Sequence, residues 1–393
     1  MFSIRNKTAI VGVAYSKVAR HADVSVGALA VEACKKAIDD AGLKVSDIDG
    51  LSVYPNPSRL EAGTVDGVDF VGVNYIARVL HLKQARWYNS QVQGTLTASL
   101  AEAVNAVAVG ACDYALVWRA MYSPPGAFGT YTARRSPGES QFTAPYGLAN
   151  AIMMFSMPYS RYMAKYGAKR EHLATFIVNN RKNGAMNPEG VFYKQPLTFQ
   201  DYMECRMIAD PMCIFDCDMA VDGCGAMVIT TADRARHLKQ KPAYVTGYSF
   251  SGMQLRPALV LVWEDFQERA NHIARVLWEN TGLSAKDIDQ PNLYDGFSWF
   301  IYPWLEALGF CKEGEAFEFI QGGRIELGGE LPMNTSGGAL AMGRLHGSPQ
   351  VIEAVRQLQG RCGPRQVKDA KVTLAHVGSP LHGSGAMVFS AEP

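Results

Sequence analysis

No apolar run in this 393-residue chain reaches 18 residues, so no segment has the length of a membrane-crossing helix. A dominant charge is missing too. There are 38 Lys and Arg against 37 Asp and Glu, and no block of either stands out. That balance argues against nucleic acid or an anionic membrane as the main partner. The opening residues, MFSIRNKTAIVG, contain no signal-peptide apolar region, and a cytoplasmic protein is expected. CxxC pairs are also absent. The eight cysteines mostly sit in apolar surroundings such as VEACKKAI, as expected of reduced, buried thiols. Cys213, Cys217 and Cys224 cluster without metal-ligand spacing and without a nearby His, so no metal site is expected.

What is present is core material and a repeat. Hydrophobic residues make up 48% of the chain, and its length suggests two domains or two fused halves. Residues 43–57, LKVSDIDGLSVYPNP, return as LSAKDIDQPNLYDGF at 283–297. Leu43, Asp47, Ile48, Asp49 and Tyr54 match Leu283, Asp287, Ile288, Asp289 and Tyr294, each 240 positions on. Each copy follows a segment of helical period. Residues 26–42 put Leu29, Ala33, Ala37 and Ile38 on one face, and 266–282 do so with Ile273, Val276 and Leu277. Both segments stop at a glycine, Gly42 and Gly282, the expected C-cap.

Strand-like stretches precede these helices at 8–16 and 243–251 and follow them at 50–54 and 291–295. Each half thus opens strand–helix–strand, which predicts a parallel pair with a right-handed crossover. The Ala-rich segment 94–110 reads as a helix buried between sheets, and DYALVWRA after it as a buried strand. Residues 337–359 read as one helix, followed by the strands AKVTLAHV and GAMVFSA. Residues 121–200 break the pattern. They are rich in Gly, Pro and Ser before turning helical, as in a lid or binding loop domain.

Two such halves, an inserted loop domain, DCDMAVDGCGAMVITT closing the first half and NTSGG opening the last helical segment resemble the thiolase superfamily. The likeness covers essentially the whole chain and is strongest to sterol-carrier-protein-type and lipid-transfer thiolase-like proteins. It implies an α/β fold of five layers, α-β-α-β-α, and a homodimer acting on acyl-CoA thioesters. On this reading residues 1–120 form the first part of the N-terminal half and 121–200 the loop domain over the active site. Residues 201–250 end that half and cross over, and 251–393 form the C-terminal half.

The likeness breaks where thiolases do their chemistry. Their nucleophilic Cys opens a buried helix, and here that junction reads RWYNSQVQGTLTASL, with Gln91 in the nucleophile place. No Cys occurs from 35 to 111. The His-Asp/Glu-x-Phe motif reads Tyr294-Asp295-Gly296-Phe297. The Gly-His-Pro motif reads GRLHG, with Arg344 in the His place and His346 two residues on. The final Cys-x-Gly motif falls in AHVGSPLHGSG, which has no Cys. Steroid side-chain-cleaving aldolases are the branch that lacks these cysteines. They are similar in YDGF, with a catalytic Tyr matching Tyr294, and carry a second catalytic Tyr where this chain has Arg344.

The resemblance implies retro-aldol cleavage of a 3-hydroxyacyl-CoA to a ketone or aldehyde plus a shortened acyl-CoA. No cysteine nucleophile takes part, and no cofactor is needed beyond coenzyme A as part of the substrate. A steroid or bile-acid side chain is the acyl group it suggests. The Met- and Phe-rich segment 150–163 is compatible with a large apolar acyl group. Tyr294 is expected as acid/base on the β-hydroxyl, given a cation to lower its phenol pKa, which Arg344 could supply. His346 could relay the proton or hold the enolate oxygen, and Asp295 could orient its neighbours. Asn334 and the Gly337–Gly338 backbone could add donors, while Ser90, Gln91 and His382 line the pocket. Arg134 and Arg135 are candidates for coenzyme A phosphates, and Tyr54 is read as structural. The resemblance also implies a small zinc-ribbon/OB-fold partner protein. Residues 297–310, FSWFIYPWLEALGF, could face it or lie buried under the site. Two rival readings are an acyltransferase with an unusual nucleophile such as Ser90, and a non-catalytic acyl-CoA or lipid-binding subunit.

Overall fold

The computed structural model describes residues 2–54, 64–91, 95–123, 141–148, 150–251, 262–379 and 382–393, without the side chains of Ser251 and His382. The first half runs β1 (Thr8–Tyr15), α1 (Val26–Ala41), β2 (Gly50–Val53), α2 (Val73–Val79), β3 (Trp87–Ser90), α3 (Leu96–Ala108) and β4 (Tyr114–Met121). After an excursion through α4 (Ala151–Tyr166), α5 (Arg170–Ala185), α6 (Phe199–Met203) and the small hairpin β5 (Met207–Ala209) and β6 (Met212–Cys213), it ends in β7 (Gly223–Thr231). A short helix α7 (Ala232–Ala235) leads to β8 (Ala243–Ser251), α8 (Trp263–Thr281) and β9 (Gln290–Asn292). The helices α9 (Ile301–Ala307), α10 (Ala316–Phe319), α11 (Gly338–Ala341) and α12 (Ser348–Gln359) follow, and β10 (Val372–Ser379) and β11 (His382–Ser390) close the chain.

Nine strands form one sheet in the order β3-β2-β4-β7-β1-β8-β11-β10-β9. Apart from the additional edge strand β3, the order mirrors itself about the β1–β8 junction. There Ala9 and Ile10 pair antiparallel with Tyr244 and Ala243. The parallel pairs are β3 with β2 and β2 with β4 in the first half and β9 with β10 in the second, and the other neighbours are antiparallel. So β1 and β2 do run parallel, but they are not paired. The antiparallel neighbours β4 and β7 lie between them, because the half-sheet is completed by strands from later in the chain.

Five layers result. Helix α1 packs on β1, β4 and β7, and α8 packs on β8 and β11. Between the half-sheets lie α3 and α12, each touching strands of both. Ala98, Ala101 and Ala103 keep parts of α3 slim among its buried Leu96, Leu100, Val104 and Val107, so two sheets can close on it.

The repeated phrase has a mechanical purpose. Asp47 and Asp287 each cap a 3-10 turn, accepting from the backbone N–H of Lys44 and of Ser284, at 2.8 Å in both copies. Two residues on, Asp49 accepts from the N–H groups of Asp113 and Tyr114 at the start of β4, at 2.8–3.0 Å. Asp289 accepts from Lys371 and Val372 at the start of β10, both at 2.8 Å. Each copy thus pins the entry of its parallel strand. Ile48 and Ile288 between the two carboxylates are buried.

Residues 337–359 are not one helix. α11 ends at Ala341 and α12 begins at Ser348, with a link in which Gly343, His346 and Gly347 have φ of 129°, 43° and 98°. The segment 297–310 lies buried, with Trp299, Ile301, Tyr302, Trp304 and Leu305 in the core beside α8.

Candidate active site

Tyr294 stands two residues past β9, at the carboxyl end of the strand equivalent to β2. Its loop is held from two directions. Asn334 closes one side with a two-way clasp on Leu293, its amide donating to the carbonyl at 2.8 Å and accepting from the N–H at 2.7 Å. On the other side residues 217–218 run antiparallel to 296–297, and the Asp218 N–H donates to Gly296 O at 3.1 Å.

Asp295 points away from Tyr294 into α11. Its carboxylate accepts from the N–H groups of Ala339 at 2.7 Å and Leu340 at 3.3 Å, from Asn180 of α5 at 2.7 Å and from Gln350 at 2.8 Å. Burial pushes this carboxyl up to about 7, with the Ala339 and Leu340 amides pulling it back down. It ties α5 and α11 to the Tyr294 loop. Gly338 must lack a side chain, since a Cβ there would strike the Asp295 carboxylate.

The broken link between α11 and α12 delivers the other groups. The Arg344 N–H donates to Met219 O at 2.8 Å, and its Nε lies 3.4 Å from Asp218 Oδ2. His346 Nδ1 faces Arg119 Nη2 at 2.7 Å. Arg119, on β4, is buried and its Nη1 donates to Tyr54 O at 2.5 Å, with the guanidinium 4.7 Å from the Tyr54 ring centre. So both ends of the repeat reach one polar cluster. Tyr54 does more than fill a strand end: it shares the arginine that holds His346.

The electrostatics fix protonation states. An arginine only donates, so His346 Nδ1 is the acceptor and its proton sits on Nε2. Burial, then Arg344 and Arg119, hold the ring neutral, well below its ordinary pKa. Burial lowers Arg119 itself to about 10. The phenol of Tyr294 moves opposite to the expectation that Arg344 would lower it. Burial first and the Asp218 carboxylate next push it up, outweighing Arg344. Burial lifts Asp218 to about 6 against the pull of Arg344. The nearby thiols of Cys217 and Cys224 are raised by burial and stay protonated.

The structure therefore brings Tyr294, Arg344 and His346 together, with Asp295 and Asn334 behind them as braces. Gly337 and Gly338 are buried in the same turn, where their N–H groups already donate to Asn334 O at 2.8 Å and Ser336 Oγ at 3.3 Å. Ser90 ends the edge strand β3 and Gln91 follows it, its N–H donating to Val53 O at 2.9 Å. Among the described residues neither side chain hydrogen-bonds to the Tyr294 cluster. His382 opens β11 opposite Ser379, and its side chain lies outside the described residues, as do Arg134 and Arg135. Sequence reasoning missed Arg119 and Asp218. The signal for the first was an arginine inside an otherwise apolar strand. For the second it was an aspartate between the half-buried Cys217 and Met219.

The model of the thiolase C-terminal domain-like family matches residues 265–391. The chain is 32% identical to the 17-hydroxy-3-oxo-4-pregnene-20-carboxyl-CoA lyase of Mycobacterium tuberculosis, over 91% of this chain and 92% of that one. It is equally 32% identical to a steroid side-chain-cleaving aldolase of Thermomonospora curvata, over 95% and 96%. The solved Ltp2-ChsH2(DUF35) aldolase superposes with a TM-score of 0.87 at 29% identity, covering 99% of each chain. The chain belongs to the thiolase superfamily, in the branch of the steroid side-chain-cleaving aldolases.

Proposed function

We propose that this chain catalyses retro-aldol cleavage of a 3-hydroxyacyl-CoA, releasing a ketone or aldehyde and a shortened acyl-CoA. The observation that carries the reading is the chemistry of the cluster. It gathers acid/base and donor groups, while its neighbouring thiols, Cys217 and Cys224, are held protonated. Such a site suits proton movement and oxyanion stabilisation rather than a covalent acyl-enzyme. Tyr294 enters the reaction as the phenol, a donor to the substrate oxygen and a proton source for the enolate carbon. His346, neutral with Nε2–H, donates to the thioester enolate oxygen. Arg344 supplies positive charge as the enolate forms. Coenzyme A enters as part of the substrate.

A bulky apolar acyl group, of the steroid side-chain kind that the relatives' names describe, fits the aromatic wall beside the loop. Phe297 lies 4.8 Å from Phe155 and 5.4 Å from Phe300, ring centre to ring centre. A homodimer through the open edge of β3, a cytoplasmic setting and a small zinc-ribbon/OB-fold partner complete the reading. The DUF35 component in the name of the solved aldolase supports such a partner.

The test is to co-express the chain with such a partner, add a tertiary 3-hydroxyacyl-CoA of a steroid side chain and identify products by mass spectrometry. Ketone plus shortened acyl-CoA is expected. Tyr294→Phe should lower the rate by about 10²- to 10⁴-fold, the usual worth of a positioned proton donor. A covalent acyl mass on the chain, without cleavage, would favour the acyltransferase reading instead.

A further inference from the structure

We propose that Asp218 is the general base that takes the proton from the substrate's β-hydroxyl. The assignment rests on the retro-aldol reading and deepens it. A base needs an open lone pair, and the cluster offers few. Tyr294 holds its proton. His346 has Nδ1 occupied by Arg119 and a proton on Nε2. Asp295 is filled by four donors.

The neighbouring carboxylates are occupied too. Asp216 accepts from Tyr202, Ser298 and the Cys213 N–H at 3.0, 2.5 and 2.7 Å. Asp222 accepts from the N–H groups of Ala22 and Ser123, both at 2.8 Å. Asp218 differs. Its side chain is 13% exposed, and among the described residues its one partner is Arg344, on Oδ2 at 3.4 Å. Neither of its oxygens is a buried atom without a partner, so the one not facing Arg344 is open to a molecule entering the site. The antiparallel step of Cys217 onto Phe297 sets it beside the Tyr294 loop.

The step balances without an outside reagent. Asp218 accepts the hydroxyl proton, and the O–H electron pair becomes the new C=O π bond. The Cα–Cβ bond breaks and its pair passes to the thioester as an enolate. Tyr294 gives its phenolic proton to Cα, and the proton on Asp218 then restores the phenol. Groups that bear on the Asp218 charge are Arg344 from the α11–α12 link, Tyr294 and Asp295 from the loop after β9, and Cys217 on its own segment, with Asp216 beyond that thiol. Arg119 and His346 stand behind Tyr294 and Arg344. With its carboxyl at about 6, Asp218 is ionised at neutral pH yet still basic enough to work.

The experiment is kcat/KM against pH for the holo complex on a 3-hydroxyacyl-CoA that the wild type cleaves. The wild type should rise to a plateau through a limb near pH 6. Asp218→Asn should lose about 10²- to 10⁴-fold and that limb with it. Its substrate binding by calorimetry should stay within about tenfold, as for a group that acts in the chemical step. Arg344→Gln, which keeps the carboxylate and removes its cation, should move the limb to higher pH, and it serves if the Asn variant does not fold. An Asp218→Asn enzyme within about threefold of wild type (a change too small for a lost proton acceptor), or one that keeps the limb, overturns the base assignment and leaves retro-aldol cleavage standing. So does a limb unmoved by Arg344→Gln. A wild type that cleaves no 3-hydroxyacyl-CoA overturns both.

Discussion

Arg119 shows how much of the site depends on one buried side chain. It meets Tyr54 through both carbonyl and ring and turns His346 into a neutral donor. Without the arginine, nothing in the contact keeps the imidazole proton on Nε2. In ¹⁵N-histidine spectra of the wild type, His346 should show one tautomer and stay neutral as pH falls through the usual histidine titration near 6.5, because burial and the two arginines hold its pKa well below that. Arg119→Met should mix the tautomers and move titration upward, because a positive charge that opposed protonation has gone. Unchanged spectra would remove Arg119 from this role. At this scale the sequence was half legible. Tyr294, Arg344 and His346 stand in motifs that a resemblance can locate. Arg119 and Asp218 belong to a strand and a connecting segment far from those motifs, and they join the site only through tertiary pairing.

The α11–α12 link is the element on which the proposed chemistry hangs. A continuous helix over 337–359 would turn Arg344 and His346 to different faces, since residues two apart on a helix do not share one. The link instead runs through left-handed backbone, and Gly347 at φ 98° is its tightest point. A Cβ there would come within 2.2 Å of Val377 Cγ1, on top of the backbone strain. Gly347→Ala should destabilise the chain by about 1–3 kcal/mol in urea unfolding. It should also weaken cleavage beyond what the stability loss explains, since His346 is displaced with the link. An unfolding midpoint equal to wild type would contradict this. The break was hard to see in sequence because 337–359 carries a helical apolar pattern throughout. Its warnings were Gly343, Gly347 and Pro349: glycines inside such a pattern are weak evidence by themselves, but the proline, at home only in a first turn, marked the start of α12.

Taken whole, the molecule is two similar halves with one exposed edge strand of special interest. Among the described residues β3 is paired on one side only, and Tyr88 on it is 72% exposed. An uncovered edge of this kind invites a second copy. If the proposed homodimer uses this edge, wild type runs as a dimer in light scattering and Tyr88→Glu as a monomer, because like charges would meet across the two-fold. A dimer that persists would place the interface elsewhere. The halves themselves were legible from the 240-residue spacing, since the Asp pairs that pin β4 and β10 must recur wherever that strand entry recurs. The sheet order was not, because strand neighbours are chosen by residues far apart in the chain.

The mirrored sheet order carries a further consequence, for ancestry. Two half-length chains related by a two-fold axis, meeting at β1 and β8 and sharing their inner helices, would look like this before their genes were joined. Such a dimer would have owned two equivalent catalytic mouths. In the joined chain one mouth received Tyr294 and its acids, while the matching Tyr54 was left to steady the arginine between them. Fusion let the copies differ, and a division of labour that identical subunits cannot reach became available to a single polypeptide.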